Sequence, residues 1–335
     1  MNNSLLGSWI KRFLLEYLIT VKNLSFNTQH CYRDTFCLLI PFLARQAKKA
    51  IDQLTVEDVS PERVKFFLLD LEQQRHCSIT TRNLRLAAIH SLAQFIGINS
   101  PEHLHWCSTI KAIPSKKAPC STITYLEKSE MDALLAAAEG TSALQRRDHA
   151  LLLFLYNTGA RVDEVAHLII NDLTITQSPH RDYSSTLIHG KGNKTRHCPL
   201  WKQTINEILP LIKDRQKTDR VFINRCGQPI TRFGIHTIVE RYATIASVQI
   251  PSLKTKRVSP HTIRHTSATH LLRAGVDINT IRAWLGHVSV NTTSIYAEID
   301  LEMKAKALAL CEVQQTQKAM RPKDDPNLMS FLRSL

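Results

Sequence analysis

No stretch of this chain is apolar for long enough to cross a bilayer; nothing approaches the roughly 20 uninterrupted residues that a spanning helix needs. A secretory leader is also missing, because Lys11, Arg12 and Glu16 interrupt the apolar residues between Leu5 and Ile19. Cysteine occurs eight times, at 31, 37, 77, 107, 120, 198, 226 and 311, but never as a C-x-x-C pair. That spacing fits neither a disulfide framework nor a zinc ribbon, and reads as mostly reduced thiols. There is no internal repeat and no low-complexity tract. These absences lead to the expectation of a soluble, cytoplasmic protein.

Negative charge is in short supply. Against 43 lysines and arginines stand 29 aspartates and glutamates, leaving a formal charge of +14. Residues 1–115 carry 13 basic and 9 acidic groups and the remainder 30 and 20, so both parts are positive. A chain this basic suits a polyanionic partner, of which nucleic acid is the commonest, although a solvated basic surface would give the same count. Its 335 residues are about right for two domains, and 43% hydrophobic residues supply material for two cores.

The first part reads as helices. Over residues 8–22, Trp9, Ile10, Phe13, Leu14, Tyr17 and Leu18 recur at helical spacing. A second helix is expected over 27–45. A third opens at Ser60-Pro61-Glu62, where serine caps free amides and proline suits the first turn. A fourth runs over 80–96 and should end at Gly97, with Arg82 and Arg85 on its polar face. The result is an all-α domain over 1–113, then a linker over 114–121 in which Pro114, Lys116, Lys117 and Pro119 break periodicity.

The second part is mixed. Helices are expected over 127–140 and 147–159, and strands over 167–170, 186–189 and 196–200, with a turn at 190–193 supplied by glycine and asparagine. Helices then return. Ser259-Pro260 caps one ending at Gly275, Asp277 caps another ending at Gly286, and Ser289 or Asn291 starts a third containing Tyr296. The fold class expected is mainly α with a small antiparallel β-sheet. The second domain would span 122–305, and 306–335 would form a C-terminal helix and tail.

Breaking a phosphodiester without hydrolysis needs a nucleophile, cations for the non-bridging oxygens and an acid for the leaving oxygen. Arginine suits the second task, since its planar fork pairs with phosphate. Arg161 follows an apolar helix and stands near Glu164. His261 and Arg264 form an i, i+3 pair at a helix start, on one face near its positive end. His287 follows Gly286, and Tyr296 comes nine positions later. Singly these are ordinary residues: a tyrosine in a core, an arginine capping carbonyls. Their order along the chain is what is unusual.

In that order they resemble the tyrosine recombinase (phage integrase) family. The stretches NTGARVDEVAHL (157–168), HGKGNKTRHCPL (189–200) and SPHTIRHTSATHLLRAGVDINTIRAWLGHVSVNTTSIYAEI (259–299) are similar to its three signature regions, closest to Xer-type and transposon-borne members. Residues 24–43 resemble its N-terminal core-binding domain. The likeness implies an all-α core-binding domain followed by an α+β catalytic domain. It implies that Arg161 and Arg264 clamp the scissile phosphate and that His261 donates to it and accepts a proton. Lys191 would protonate the departing 5′-hydroxyl, His287 would contact the phosphate and help place the nucleophile, and Glu164 would steady the group. Tyr296 would attack and become the 3′-phosphotyrosyl link. No cofactor or metal is called for. The implied partner is double-stranded DNA, gripped by a homo- or hetero-tetramer.

Some points stay open. Asp163 and Glu164 are both acidic, though the R-x-x-E spacing favours Glu164. Lys194 and Arg196 can be phosphate contacts or solvated strand residues. His261 and His265 have metal-ligand spacing, but no glutamate follows His261 as zinc proteases require. Trp284 reads as core, and residues 174–185 as an enlarged connection. A type IB topoisomerase, a catalytically silent DNA-binding protein and a metal-dependent nuclease are the rival readings.

Overall fold

The computed structural model describes residues 5–118, 123–176, 184–190, 192 and 194–286. The expectations for Lys191, His287, Tyr296 and the C-terminal tail lie outside these residues. Among those described, the chain is mainly helical with one three-stranded antiparallel sheet, as its pattern predicts. They fall into two units that meet between Ser121 and Thr122.

The first unit is all helix. Helix α1 (Leu6–Arg12) passes into a π-helical stretch at Phe13–Val21, whose wider turns put Phe13 and Leu18, five apart, into the core together. Then come α2 (Phe26–Ala47), α3 (Pro61–Gln73), α4 (Ile79–Asn99) and α5 (Leu104–Lys111). Ser60 caps α3 by accepting the Arg63 amide at 3.3 Å. Gly97 does not end α4, which runs on to Asn99. Its role is close packing, since a Cβ there would fall 2.8 Å from Cys107 Cβ on α5. Arg82 and Arg85 are not on a polar face either. Arg82 is buried, 3.5 Å from Glu72 and donating to the Pro114 carbonyl. Arg85 donates to the Cys31 carbonyl and to Thr35 Oγ1. The residues after α5 begin tied down: Ile113 is buried, and Asn83 bonds both the N–H and the carbonyl of Lys116.

The second unit opens with α6 (Lys128–Ala136), shorter than its pattern suggests, and α7 (Ala143–Thr158). A reciprocal Ser142–Gln145 cap starts α7 one turn before the apolar run. Every residue of α7 from Asp148 to Thr158 is buried, so this helix is the spine of the core. Truncating a leucine here, such as Leu152, would cost about 2–5 kcal/mol. The first strand expected, over 167–170, is not there. Helix α8 (Val162–His167), started by Glu164 accepting the Arg161 amide, and a 3₁₀ turn (Ile170–Asp172) flank that stretch; Leu168 and Ile169 between them are extended, but Ile169 makes only an isolated antiparallel bridge to Arg220. The sheet follows as β1 (Leu173–Thr174), β2 (Ser184–His189) and β3 (Thr195–Leu200), with Thr186 opposite Cys198 and His189 opposite Thr195. Helices α9 (Lys202–Ile212), α10 (Arg232–Gln249), α11 (Pro260–Arg273) and α12 (Ile278–Leu285) complete the described part. Ser259 caps α11, Asp277 caps α12, and Gly286 closes α12. Trp284 packs, partly buried, against the core. No described helix is long and apolar enough to cross a membrane.

Candidate active site

Several segments meet where α7 ends. Gly159 closes that helix with φ 58°, and a Cβ on it would stand 2.6 Å from Leu285 Cδ2, so both the conformation and the space demand glycine. Asn157, just before, is committed to structure. Its Oδ1 accepts from the Trp201 amide (2.8 Å) and Thr204 Oγ1 (3.1 Å), while Nδ2 donates to the Pro199 carbonyl (3.1 Å). It fastens the end of β3 and the start of α9 to α7. From the other side, Ser267 on α11 donates to the Tyr156 carbonyl at 2.7 Å.

Arg264 reaches this junction from α11, with only 2% of its surface exposed. Its Nη1 donates to the Gly159 carbonyl at 2.6 Å and its Nη2 to the Leu285 carbonyl at 2.7 Å. Both acceptors lie at helix C-termini, where aligned peptide dipoles leave partial negative charge. The guanidinium plane is thereby fixed by the ends of α7 and α12, two residues before Arg161.

Arg161 precedes α8, and Glu164 organises it. Glu164 accepts the Arg161 amide at 2.9 Å and Arg161 Nη1 at 2.8 Å, and its two oxygens also take Arg196 Nη1 (3.2 Å) and Nη2 (2.6 Å). Burial pushes this carboxyl's pKa up, but the hydrogen bonds and charge of Arg196, helped by Arg161, hold it below the ordinary glutamate range. Glu164 is therefore a carboxylate under all ordinary conditions. Asp163 points into solvent, so the carboxylate built into the site is Glu164. Arg196 is neither a solvated strand residue nor an outward cation, because its side chain is 9% exposed and faces Glu164. Lys194 stays exposed.

His261 lies in the first turn of α11, its ring 4.2 Å from that of His265. Crowding by the fold, then the positive charge of Arg264 and Arg161, lowers its pKa from the usual histidine value. The imidazole is thus kept neutral near pH 7 and able to accept a proton. His265 is pushed further, to about 4, by burial and then by His261 and Arg264. Among the described residues no group of three or more His, Cys, Asp or Glu could hold a metal ion.

The fold thus brings Arg161, Glu164, His261 and Arg264 together. Lys191, His287 and Tyr296 lie outside the described residues, although Gly190 and Gly286, the immediate neighbours of Lys191 and His287, border the same cluster. Sequence reasoning missed the inward aim of Arg196. The signal was there: on a strand, Arg196, Cys198 and Leu200 share a face, and the latter two are apolar.

The comparisons with known proteins agree with this architecture. Residues 124–303 match the phage integrase family and residues 10–97 its N-terminal SAM-like domain. The integrase/recombinase-class protein y4rC of Sinorhizobium fredii is 37% identical over 98% of this chain and 98% of its own length. Tyrosine recombinase XerC of Listeria welshimeri is 30% identical over 88% of this chain and 94% of its own. The crystal structure of the XerH site-specific recombinase bound to difH has the same fold, with TM-score 0.67, 22% identity and coverage of 91% of this chain and 95% of that one. The chain belongs to the phage integrase family and is a tyrosine-type site-specific recombinase.

Proposed function

We propose that this recombinase cleaves and rejoins duplex DNA through a 3′-phosphotyrosyl intermediate on Tyr296, without metal or ATP. The observation that carries the reading is the convergence of Arg264, locked on the Gly159 carbonyl, with Arg161 two residues on and a His261 whose proton both arginines disfavour. Arg161 and Arg264 take the non-bridging oxygens of the scissile phosphate, and His287 adds a further contact. Free tyrosine has a pKa near ~10, so the hydroxyl of Tyr296 gives its proton to neutral His261 as its oxygen attacks phosphorus. The bond to the 5′-oxygen breaks, and Lys191 supplies the proton that oxygen takes. Glu164 keeps Arg161 in place. The phosphotyrosyl bond conserves the energy of the broken phosphodiester, so a 5′-hydroxyl reverses the step, and fixed cations do what other nucleases obtain from Mg²⁺.

In this reading residues 1–113 form a DNA-binding domain and 122–305 the catalytic domain, joined by 114–121, and the two close around duplex DNA. Affinity comes mostly from phosphates and falls steeply with salt. Four protomers, alike or of two kinds, pair two sites and exchange strands through a Holliday junction, with residues 306–335 reaching a neighbour. The work is done in the cytoplasm.

The test is recovery of DNA bound covalently to the protein from cells, followed by sequencing of the linked strand. Tyr296→Phe is expected to abolish the adduct and leave DNA binding intact. A surviving adduct would mean another nucleophile, and an adduct with no exchange between two sites would favour a topoisomerase.

A further inference from the structure

We propose that Arg196 is a positioning residue for strand cleavage, bracing the chain at Gly190, the residue before Lys191, against the end of α12. The inference rests on the reading of Lys191 as the acid for the leaving oxygen. Arg196 is enclosed, and its two terminal nitrogens are spent on the two oxygens of Glu164, at 3.2 and 2.6 Å. Its side chain is 9% exposed against 39% for that of Arg161, which shares the same carboxylate.

What lies on this ion pair is the backbone of two other segments. A Cβ on Gly190 would fall 3.3 Å from Glu164 Oε1 and 3.6 Å from Arg196 Nη1, so the chain enters the turn directly over the pair. The turn closes by Gly190 N donating to the Lys194 carbonyl at 2.7 Å. Gly286 ends α12 with φ 66°, and a Cβ there would sit 3.1 Å from Arg196 Nη1 and 3.3 Å from its Cδ. A side chain on Gly286 would press on the Arg196 guanidinium, and one on Gly190 on Glu164 Oε1 and the Lys194 carbonyl. One arginine thus fixes where the chain stands at Gly190 relative to α8 and to the residue that precedes His287.

A brace matters here because of what an acid requires. Proton transfer needs a donor within hydrogen-bond reach of the leaving atom, and a hairpin turn held only by its two strands is soft. Misplacement by about 1 Å can cost on the order of 100-fold in rate. Glu164 and Arg196 supply the missing constraint from below the turn.

The full chain can be tested on the duplex recovered by adduct sequencing, made once with ordinary phosphate and once with sulfur in place of the bridging 5′-oxygen. A 5′-thiolate departs without being protonated, so the sulfur substrate bypasses the acid. Arg196→Met is expected to slow cleavage of ordinary DNA about 100-fold but of the sulfur substrate less than about threefold, the same split as Lys191→Ala. Arg161→Ala should be slow on both. Where the methionine variant does not fold, Arg196→Lys keeps the charge without the fork and should show the same split at smaller amplitude. Equal loss on both substrates, or no loss, overturns the inference. An unsplit Lys191→Ala removes the acid assignment and this inference with it, whereas a split Lys191→Ala beside an unsplit Arg196→Met removes this inference alone.

Discussion

In the first unit Asp58 lies between Lys49 (2.8 Å) and Arg63 (3.1 Å), and in the second Glu164 lies between Arg196 (2.6 Å) and Arg161 (2.8 Å). Both carboxylates are almost fully enclosed, and in both cases burial raises the pKa while the paired cations bring it below the ordinary range. Judged by its own bonds, each is a sound buried ion pair. What differs is the company. In the second unit Arg264 is held by backbone carbonyls, and the buried Cys198 thiol senses it together with Arg196 and Glu164. A buried pair shows that a place is ordered. Positive charge anchored on neutral carbonyls makes that place ready for a phosphate.

Arg264→Ala should have the largest effect, since it strips the carbonyl caps from α7 and α12 and, in the function proposed, one of the two phosphate contacts. Cleavage should fall by roughly 1,000-fold and stability by about 2–4 kcal/mol, read by cleavage assay and by urea titration. Arg63→Ala in the first unit should cost about 1 kcal/mol and leave cleavage rates untouched once DNA is saturating. If the two variants behave alike, the contrast between the regions is wrong.

A matched pair sharpens it. Asp58→Asn and Glu164→Gln should each destabilise by about 1–3 kcal/mol, because each leaves two cations facing a neutral amide. Only Glu164→Gln should slow cleavage, by on the order of 10-fold, as Arg161 loses its partner. An equal slowing by Asp58→Asn would show that the effect is general loosening.

Acid should act more gently, and through His265. Its folded pKa of about 4 lies below the ordinary value near ~6.5, so the unfolded chain binds the proton more readily between those limits. The contribution is fully present above pH ~6.5 and is lost as pH falls towards 4. His265→Asn should flatten thermal stability against pH in that window by about 2 kcal/mol. Glu164 adds its own loss only below the normal carboxylate range, since its pKa is depressed. The smallest effect expected is none: excess EDTA should leave the cleavage rate unchanged, and inhibition reversed by Mg²⁺ would move the chemistry to a metal.

Local signals in the chain were read well where they were local. The caps at Ser60, Ser259 and Asp277 and the stop at Gly286 concern neighbours three or four residues apart, and they stand as the pattern predicts. The misreadings have a common origin. Residues 167–170 are apolar enough for a strand, yet Ile169 finds only an isolated bridge to Arg220 between a helix and a 3₁₀ turn. Gly97 looks like a stop, yet it is there to admit Cys107. Arg82 and Arg85 look solvated, yet Glu72, Cys31 and Thr35 draw them inward. In each case the decisive partner belongs to another element of the fold.

The sequence by itself determined that this chain is mainly helical with a small sheet, and which charged residues recur in the order of a phosphoryl-transfer site. Periodicity and capping suffice for the first, because they are short-range effects, while the second was legible through its resemblance to the phage integrase family. Only the tertiary structure decided which of those charges share a point in space. Arg264 meets a carbonyl 105 positions away and Arg196 a carboxylate 32 positions away. Such pairs form because burying a charge is costly unless a partner meets it, and the partner's place is set by how the whole core packs.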